Sequence, residues 1–150
     1  MFTNLFMRIL VTGGAGYLGS VLVHKLIEQG NDVTVLDICM IGAEGLLSLF
    51  SHKRFRLIRG DIRNTSLLQT IFKTKFDAVV HLAALVGEPA CEGNPDLAWE
   101  INHKATTVLA KLAKRSNVKH FVFMSSSSNY GVSKANELAD ENSPLHPLTL

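Results

Sequence analysis

The sequence predicts an α/β protein built on a doubly wound parallel sheet. Short apolar segments alternate strictly with longer segments in which apolar residues recur at helical spacing. The apolar segments are continuous, which is typical of strands covered on both faces in a parallel sheet. A glycine-rich turn joins the first strand to the first helix. Together these observations predict five strands in the spatial order 3-2-1-4-5.

The chain supplies each element in turn. Strands are expected at residues 8–12, 33–37, 55–59, 78–82 and 120–124, and helices at 17–29, 43–50, 65–72 and 95–115. Gly30 ends the first helix, and Asn64 or Thr65 caps the third. The fourth helix opens at Pro95, because proline is favoured in a first helical turn. Beyond Gly131 the residues become polar, which predicts a surface loop.

Length and composition narrow the class of protein. The chain has 150 residues, 47% of them hydrophobic and 19% charged, which predicts one globular domain with residues 1–6 as an extension. The net charge is +2 without a basic block, so neither a nucleic acid nor a membrane is expected as a partner. Without a signal peptide or a membrane-length apolar run, a cytoplasmic location is expected. Cys39 and Cys91 are expected as free thiols, and no metal-ligand spacing occurs.

The glycine turn predicts a dinucleotide site. Gly13, Gly16 and Gly19 follow the spacing G-x-x-G-x-x-G at a strand-to-helix junction. The first glycine permits a tight turn, the second lets a pyrophosphate approach the backbone, and the third lets helix and strand pack closely. Tyr17 and Leu18 begin the helix, whose free N–H groups attract phosphates. The predicted domain, residues 7–150, is therefore of Rossmann type.

Asp37 indicates which dinucleotide is bound. It closes the second strand, 18 residues after Gly19. A carboxylate at this position accepts hydrogen bonds from the adenosine ribose and repels a 2′-phosphate. No arginine follows at residues 38–40 to hold such a phosphate. The expected cofactor is therefore NAD rather than NADP.

Five motifs in sequence order extend this interpretation. They are residues 12–19 (TGGAGYLG), 60–63 (GDIR), 81–84 (HLAA), 102–106 (NHKAT) and 125–131 (SSSSNYG). Together they resemble the extended short-chain dehydrogenase/reductase family, in particular its NAD-dependent nucleotide-sugar epimerases and dehydratases. Within that family, the first choice is an epimerase similar to UDP-glucose 4-epimerase.

The resemblance implies roles for particular residues. Asp61 and Ile62 would flank the adenine. The small or apolar residues Leu82, Ala83 and Ala84 would lie along the nicotinamide. Asn102, in the middle of a helix, would brace the site through backbone hydrogen bonds. Ser126, with Ser127 as the alternate, would hydrogen-bond the sugar hydroxyl that is oxidised.

The resemblance also implies a catalytic Tyr-x-x-x-Lys pair, which the family places on a helix just beyond Leu150. Tyr130 and Lys134 have this spacing, but Gly131 disfavours a helix and Tyr130 fills another family position. The expectation is thus a chain truncated before the sixth strand and the substrate domain, with one side of strands 4 and 5 exposed. The partners would be NAD, a nucleotide sugar and a second copy in a homodimer. The alternatives are a non-catalytic NAD-binding module and an inactive fragment.

Overall fold

The computed structural model describes residues 6–132 and 138–147. Lys134 and most of the predicted N-terminal extension lie outside these residues. The strands are β1 (Arg8–Thr12), β2 (Asp32–Asp37), β3 (Phe55–Arg59), β4 (Ala78–His81) and β5 (His120–Phe123). The α-helices are α1 (Tyr17–Glu28), α2 (Thr65–Ile71), α3 (Glu88–Gly93), α4 (Pro95–Ala98) and α5 (Thr106–Arg115). Short 3₁₀ segments occur at Glu44–Leu49 and Ser127–Tyr130.

All five strands are parallel and lie in the order β3-β2-β1-β4-β5, as the sequence predicts. The pairing register places Val11 of the central strand opposite Val35 of β2 and Val80 of β4. Each crossover carries a helical segment, so helices lie on both faces of the sheet. The predicted Rossmann-type architecture is confirmed for the described residues.

Two hydrophobic cores lie on opposite faces of the sheet. Successive side chains of β1 point into different cores, because Leu10 faces the first core while Ile9 and Val11 face the second. The first core packs against α2 and α5, and the second packs against α1 and the segment Glu44–Leu49. The carboxyl ends of the strands therefore meet at one edge, held by helices on either side.

The predicted helix at 95–115 is present, but it is not uniformly α-helical. Helix α4 continues through a π-helical segment (Trp99–Ala105) into α5. The Asn64 side chain caps α2 by accepting the N–H of Leu67 at 3.0 Å, which selects Asn64 from the two predicted caps. Helix α3 was not predicted, because its six residues show no apolar periodicity.

The edge strand β5 is poorly covered. Val122 and Phe123 are 48% and 53% exposed, whereas Val79 in β4 is fully buried. The prediction of strands covered on both faces therefore fails at β5, and the predicted exposure of one side is found there rather than on β4. None of the helices in the described part of the chain is long and apolar enough to cross a membrane.

Candidate functional site

The glycine turn between β1 and α1 is shaped by a left-handed residue. Gly13 has φ = +73°, and a Cβ built on it would lie 2.6 Å from the backbone nitrogen of Ala83. The N–H of Gly13 donates to the carbonyl of Leu36 at 2.9 Å. Glycine is therefore required here both by backbone conformation and by the close approach of the loop after β4.

The N-terminus of α1 is open to an anionic ligand. Its N-cap residue, Gly16, makes no side-chain capping hydrogen bond, and the first turn contains no acidic residue. A Cβ at Gly16 would meet only the carbonyl oxygen of Gly13, at 3.4 Å. Tyr17 and Leu18 are exposed at the start of the helix. The free N–H groups, the helix dipole and the absent side chain together fit a pyrophosphate.

Asp37 lies at the edge of the glycine turn. One of its carboxylate oxygens accepts the N–H of Ala15 at 2.9 Å, and the other accepts the N–H of Cys39 at 2.7 Å. Each oxygen keeps a further lone pair for a ribose hydroxyl. Cys39 has φ = +55°, and burial together with the nearby Asp37 carboxylate raises the pKa of its thiol.

Asp61 and Ile62 follow β3 at the same edge of the sheet. The Asp61 carboxylate pairs with the guanidinium of Arg63 through Nε at 2.9 Å and Nη2 at 2.5 Å, and these hydrogen bonds lower the pKa of Asp61. Ile62 is 6% exposed and packs in the first core. Its backbone, rather than its side chain, is thus the group available to an adenine ring.

A cleft of about 480 Å³ lies beyond the carboxyl ends of β4 and β5. Predicted site residues that line it are Leu82, Ala83, Ala84, Asn102 and Ser126. Ser127, the alternate serine, does not belong to the lining. The Ser126 Oγ accepts the N–H of Ser128 at 3.2 Å, which leaves its own proton free to donate.

Asn102 braces one wall of this cleft from the π-helical segment. Its Oδ1 accepts the N–H of Leu85 at 2.8 Å, and its Nδ2 donates to the carbonyl of Leu85 at 2.9 Å. Both backbone groups of one loop residue are therefore satisfied by a single amide. π-Helical turns are frequent at functional sites, and this one carries the brace.

Asn102→Leu is expected to destabilise the protein by about 2 kcal/mol, because the Leu85 N–H loses its acceptor and the Leu85 carbonyl is left with only the weak donor Cys91 Sγ at 3.5 Å. Asn102→Asp is the matched control, since its carboxylate still accepts from the Leu85 N–H but cannot donate. Urea unfolding followed by circular dichroism measures both. Stabilities equal to that of the original chain for both variants would contradict a bracing role.

His81, which the sequence predicts to be packed or at the edge of the cofactor rather than a metal ligand, is a buried polar residue at the end of β4. Its Nδ1 lies 2.6 Å from the Thr12 hydroxyl, and its Nε2 lies 2.8 Å from the Thr106 hydroxyl. The ring packs beside Phe121 and Phe123 at centroid distances of 6.4 and 5.8 Å. The sequence contains the histidine but no sign that residues so distant along the chain would be its partners. Burial lowers the pKa of His81 to about 4.

The stability of the protein is expected to fall as the pH drops from 6.5 towards 4. In the unfolded chain the histidine has the ordinary pKa of 6.5, so in this window the unfolded state binds more protons than the folded state. The loss should reach about 3 kcal/mol near pH 4 from His81 alone. Urea unfolding of the original chain and of His81→Asn across this range isolates the contribution. Parallel pH profiles for the two proteins would refute it.

The structure thus brings the predicted residues to one edge of the sheet. The glycine turn and Asp37 form one end, and the cleft with Asn102 and Ser126 forms the other. Among residues 6–132 and 138–147, no cluster of three or more His, Cys, Asp or Glu side chains could hold a metal ion.

Two relatives show which proteins this chain is similar to. UDP-glucose 4-epimerase of Lactobacillus helveticus is 36% identical over 143 residues, which are 95% of this chain and 42% of that protein. UDP-glucuronic acid decarboxylase 1 of Arabidopsis thaliana is 40% identical over 126 residues, which are 83% of this chain and 27% of that protein. The chain therefore spans less than half the length of these relatives.

Solved structures and a family model show a similarity to the same kind of protein. The Thermus thermophilus UDP-glucose 4-epimerase, solved in complex with NAD, superposes with a TM-score of 0.85 at 31% identity. The match covers 95% of this chain and 45% of that one. Residues 9–150 match the model of a family whose members depend on NAD. The chain belongs to the NAD dependent epimerase/dehydratase family.

Proposed function

We propose that this chain binds NAD along the carboxyl edge of its sheet and forms the cofactor-binding part of a UDP-sugar 4-epimerase. The observation that carries the proposal is the continuity of the site. Gly13 touches Ala83, so the phosphate-binding turn and the wall of the cleft are one surface. The similarity to UDP-glucose 4-epimerases supports the choice of substrate.

In this proposal the chain's own groups bind and orient the two ligands. The N-terminus of α1 holds the pyrophosphate, and Asp37 holds the adenosine ribose. The small side chains of Ala83 and Ala84 leave room in the cleft for the nicotinamide. Bound NAD supplies a hydride acceptor for transient oxidation of a sugar hydroxyl. Ser126, whose hydroxyl proton is free, holds the oxygen of that sugar hydroxyl.

Titration of the purified chain with NAD and with NADP tests the proposal. Isothermal titration calorimetry should show that the chain binds NAD more tightly than NADP. Circular dichroism of the same sample establishes that the protein is folded. A folded chain that does not bind NAD would refute the cofactor assignment.

The second candidate is a non-catalytic NAD-binding module. The sequence has two tyrosines, and only Tyr130 is followed four residues later by a lysine. Tyr130 lies in a 3₁₀ segment rather than on an α-helix. The coding sequence beyond Leu150 separates the candidates, because a Tyr-x-x-x-Lys pair in frame there would support the epimerase and its absence would favour the module.

Two further expectations belong to the same proposal. The free thiols Cys39 and Cys91 are compatible with a reducing compartment such as the cytoplasm. The homodimer stays a prediction, and sedimentation of the purified chain would test it.

A further inference from the structure

A buried chain of hydrogen bonds crosses the floor of the site. It begins at Ala83, whose N–H donates to the Thr12 hydroxyl at 3.4 Å. It continues to Nδ1 of His81 at 2.6 Å and from Nε2 to the Thr106 hydroxyl at 2.8 Å. Thr12 ends the strand that leads into the glycine turn, and Thr106 begins α5. This series of hydrogen bonds, called the relay below, therefore links β1, β4 and α5 around the cleft.

The direction of the protons follows from burial. Thr12 is fully buried, and its hydroxyl already accepts from Ala83, so its own proton needs an acceptor. Among the described residues, Nδ1 of His81 is the acceptor within reach. A neutral imidazole that accepts at Nδ1 carries its proton at Nε2, and so it donates to Thr106. Burial keeps the ring neutral, since it lowers the pKa of His81 to about 4.

The Thr106 hydroxyl is then left with a proton to donate. In α2, the Thr70 hydroxyl donates to the carbonyl of Ser66 at 3.0 Å, which is the usual local bond of a helical threonine. In the described part of the chain, Thr106 makes no such bond, and its hydroxyl contacts His81 alone. Thr106 also lines the cleft. Its free proton is therefore placed where a ligand can accept it.

We propose that Thr106 binds the nicotinamide half of the cofactor by donating to an oxygen acceptor there, and that His81 is the positioning residue that orients its hydroxyl. The proposal rests on NAD binding in this cleft. His81 acts through Thr106 and does not touch the cofactor. The acceptor is an oxygen of the carboxamide or of the adjoining ribose.

Binding measurements with two ligands test the role of Thr106. Thr106→Val keeps the shape of the side chain and removes the hydroxyl, and Thr106→Ser keeps the hydroxyl. Calorimetry should show NAD binding weakened about fivefold in Thr106→Val and restored in Thr106→Ser. ADP, which carries the adenosine and both phosphates but no nicotinamide, should bind equally well to all three proteins. Equal weakening of NAD and ADP, or no change in NAD binding, would overturn the proposal.

The role of His81 has an independent readout. ¹⁵N NMR of the histidine rings in the free protein should show Nε2 protonated and Nδ1 unprotonated for His81. His81→Asn, which keeps a group near Thr12 and removes the partner of Thr106, should weaken NAD binding about as much as Thr106→Val. The double variant should be no weaker than either single variant. A proton on Nδ1, or additive losses, would refute the relay.

The two proposals fail separately. If the folded original chain binds neither NAD nor ADP, the proposed function is wrong, while the tautomer of His81 still decides whether the relay exists. If the original chain binds NAD and Thr106→Val binds it equally well, the relay has no role in binding and the proposed function stands. Should His81→Asn not fold, the two Thr106 variants and the NMR measurement decide the outcome.

Discussion

Gly19→Ala is expected to destabilise the protein by about 3 kcal/mol and to remove NAD binding. A Cβ at Gly19 would overlap the carbonyl oxygen of Gly13 and lie 2.6 Å from the Cα of Gly14. These are backbone atoms, which cannot move aside without opening the turn. Alanine is otherwise the better helix former by about 1 kcal/mol, so the clash must outweigh an intrinsic gain. Thermal unfolding and calorimetry with NAD measure the two effects.

Two other glycines provide matched controls. A Cβ at Gly16 meets a single atom at ordinary contact distance, so Gly16→Ala should keep the stability and lose affinity for NAD. A Cβ at Gly93 meets nothing within 4 Å, so Gly93→Ala should change neither property. If Gly16→Ala binds NAD as well as the original chain does, the pyrophosphate does not approach this glycine.

Asp37→Asn is expected to raise the affinity for NADP relative to NAD by at least about tenfold. The asparagine keeps an oxygen that can accept a backbone N–H, as Asp37 does from Cys39, but it removes the charge that repels a 2′-phosphate. Asp37→Ala should weaken NAD further, because the N–H groups of Ala15 and Cys39 both lose their acceptor. Parallel titrations of each variant with the two dinucleotides measure the ratio.

The salt dependence of this ratio provides a further check. Repulsion between a carboxylate and a phosphate is screened by salt, so the preference of the original chain for NAD should shrink as the ionic strength rises. The preference of Asp37→Asn should respond less. A ratio unchanged by the substitution would place the ribose away from Asp37.

The strands were the most predictable part of the fold. β1 and β3 occupy the predicted residues, because each is a short segment rich in apolar residues that is followed by a glycine. The strand order followed from the glycine-rich turn after β1, which is typical of the dinucleotide-binding order, together with the alternation of strands and helices. Helix α3 and the π-helical segment were missed, since neither short helices without periodicity nor a change of helical winding leaves a pattern in the sequence.

The site was predictable where a motif fixes a local shape and unpredictable where distant residues meet. The glycine turn and Asp37 could be placed because strand ends in a parallel sheet share one edge. The pairing of Asp61 with Arg63 was missed, although the two residues are close in the sequence. The relay through His81 could not be foreseen, since its partners lie 69 and 25 residues away and only the folded chain brings them together.

The π-helical segment Trp99–Ala105 also determines how the chain responds to a change in length. Its wider turn contains the equivalent of an inserted residue, which the surrounding helix accommodates without ending. Deleting one residue there would restore α-helical winding and change the direction of side chains within the segment, while the turns on either side keep their faces. Asn102 would then leave Leu85 while the helix stayed intact. A deletion that leaves the helical content almost unchanged would therefore remove the hydrogen bonds that support one wall of the cleft.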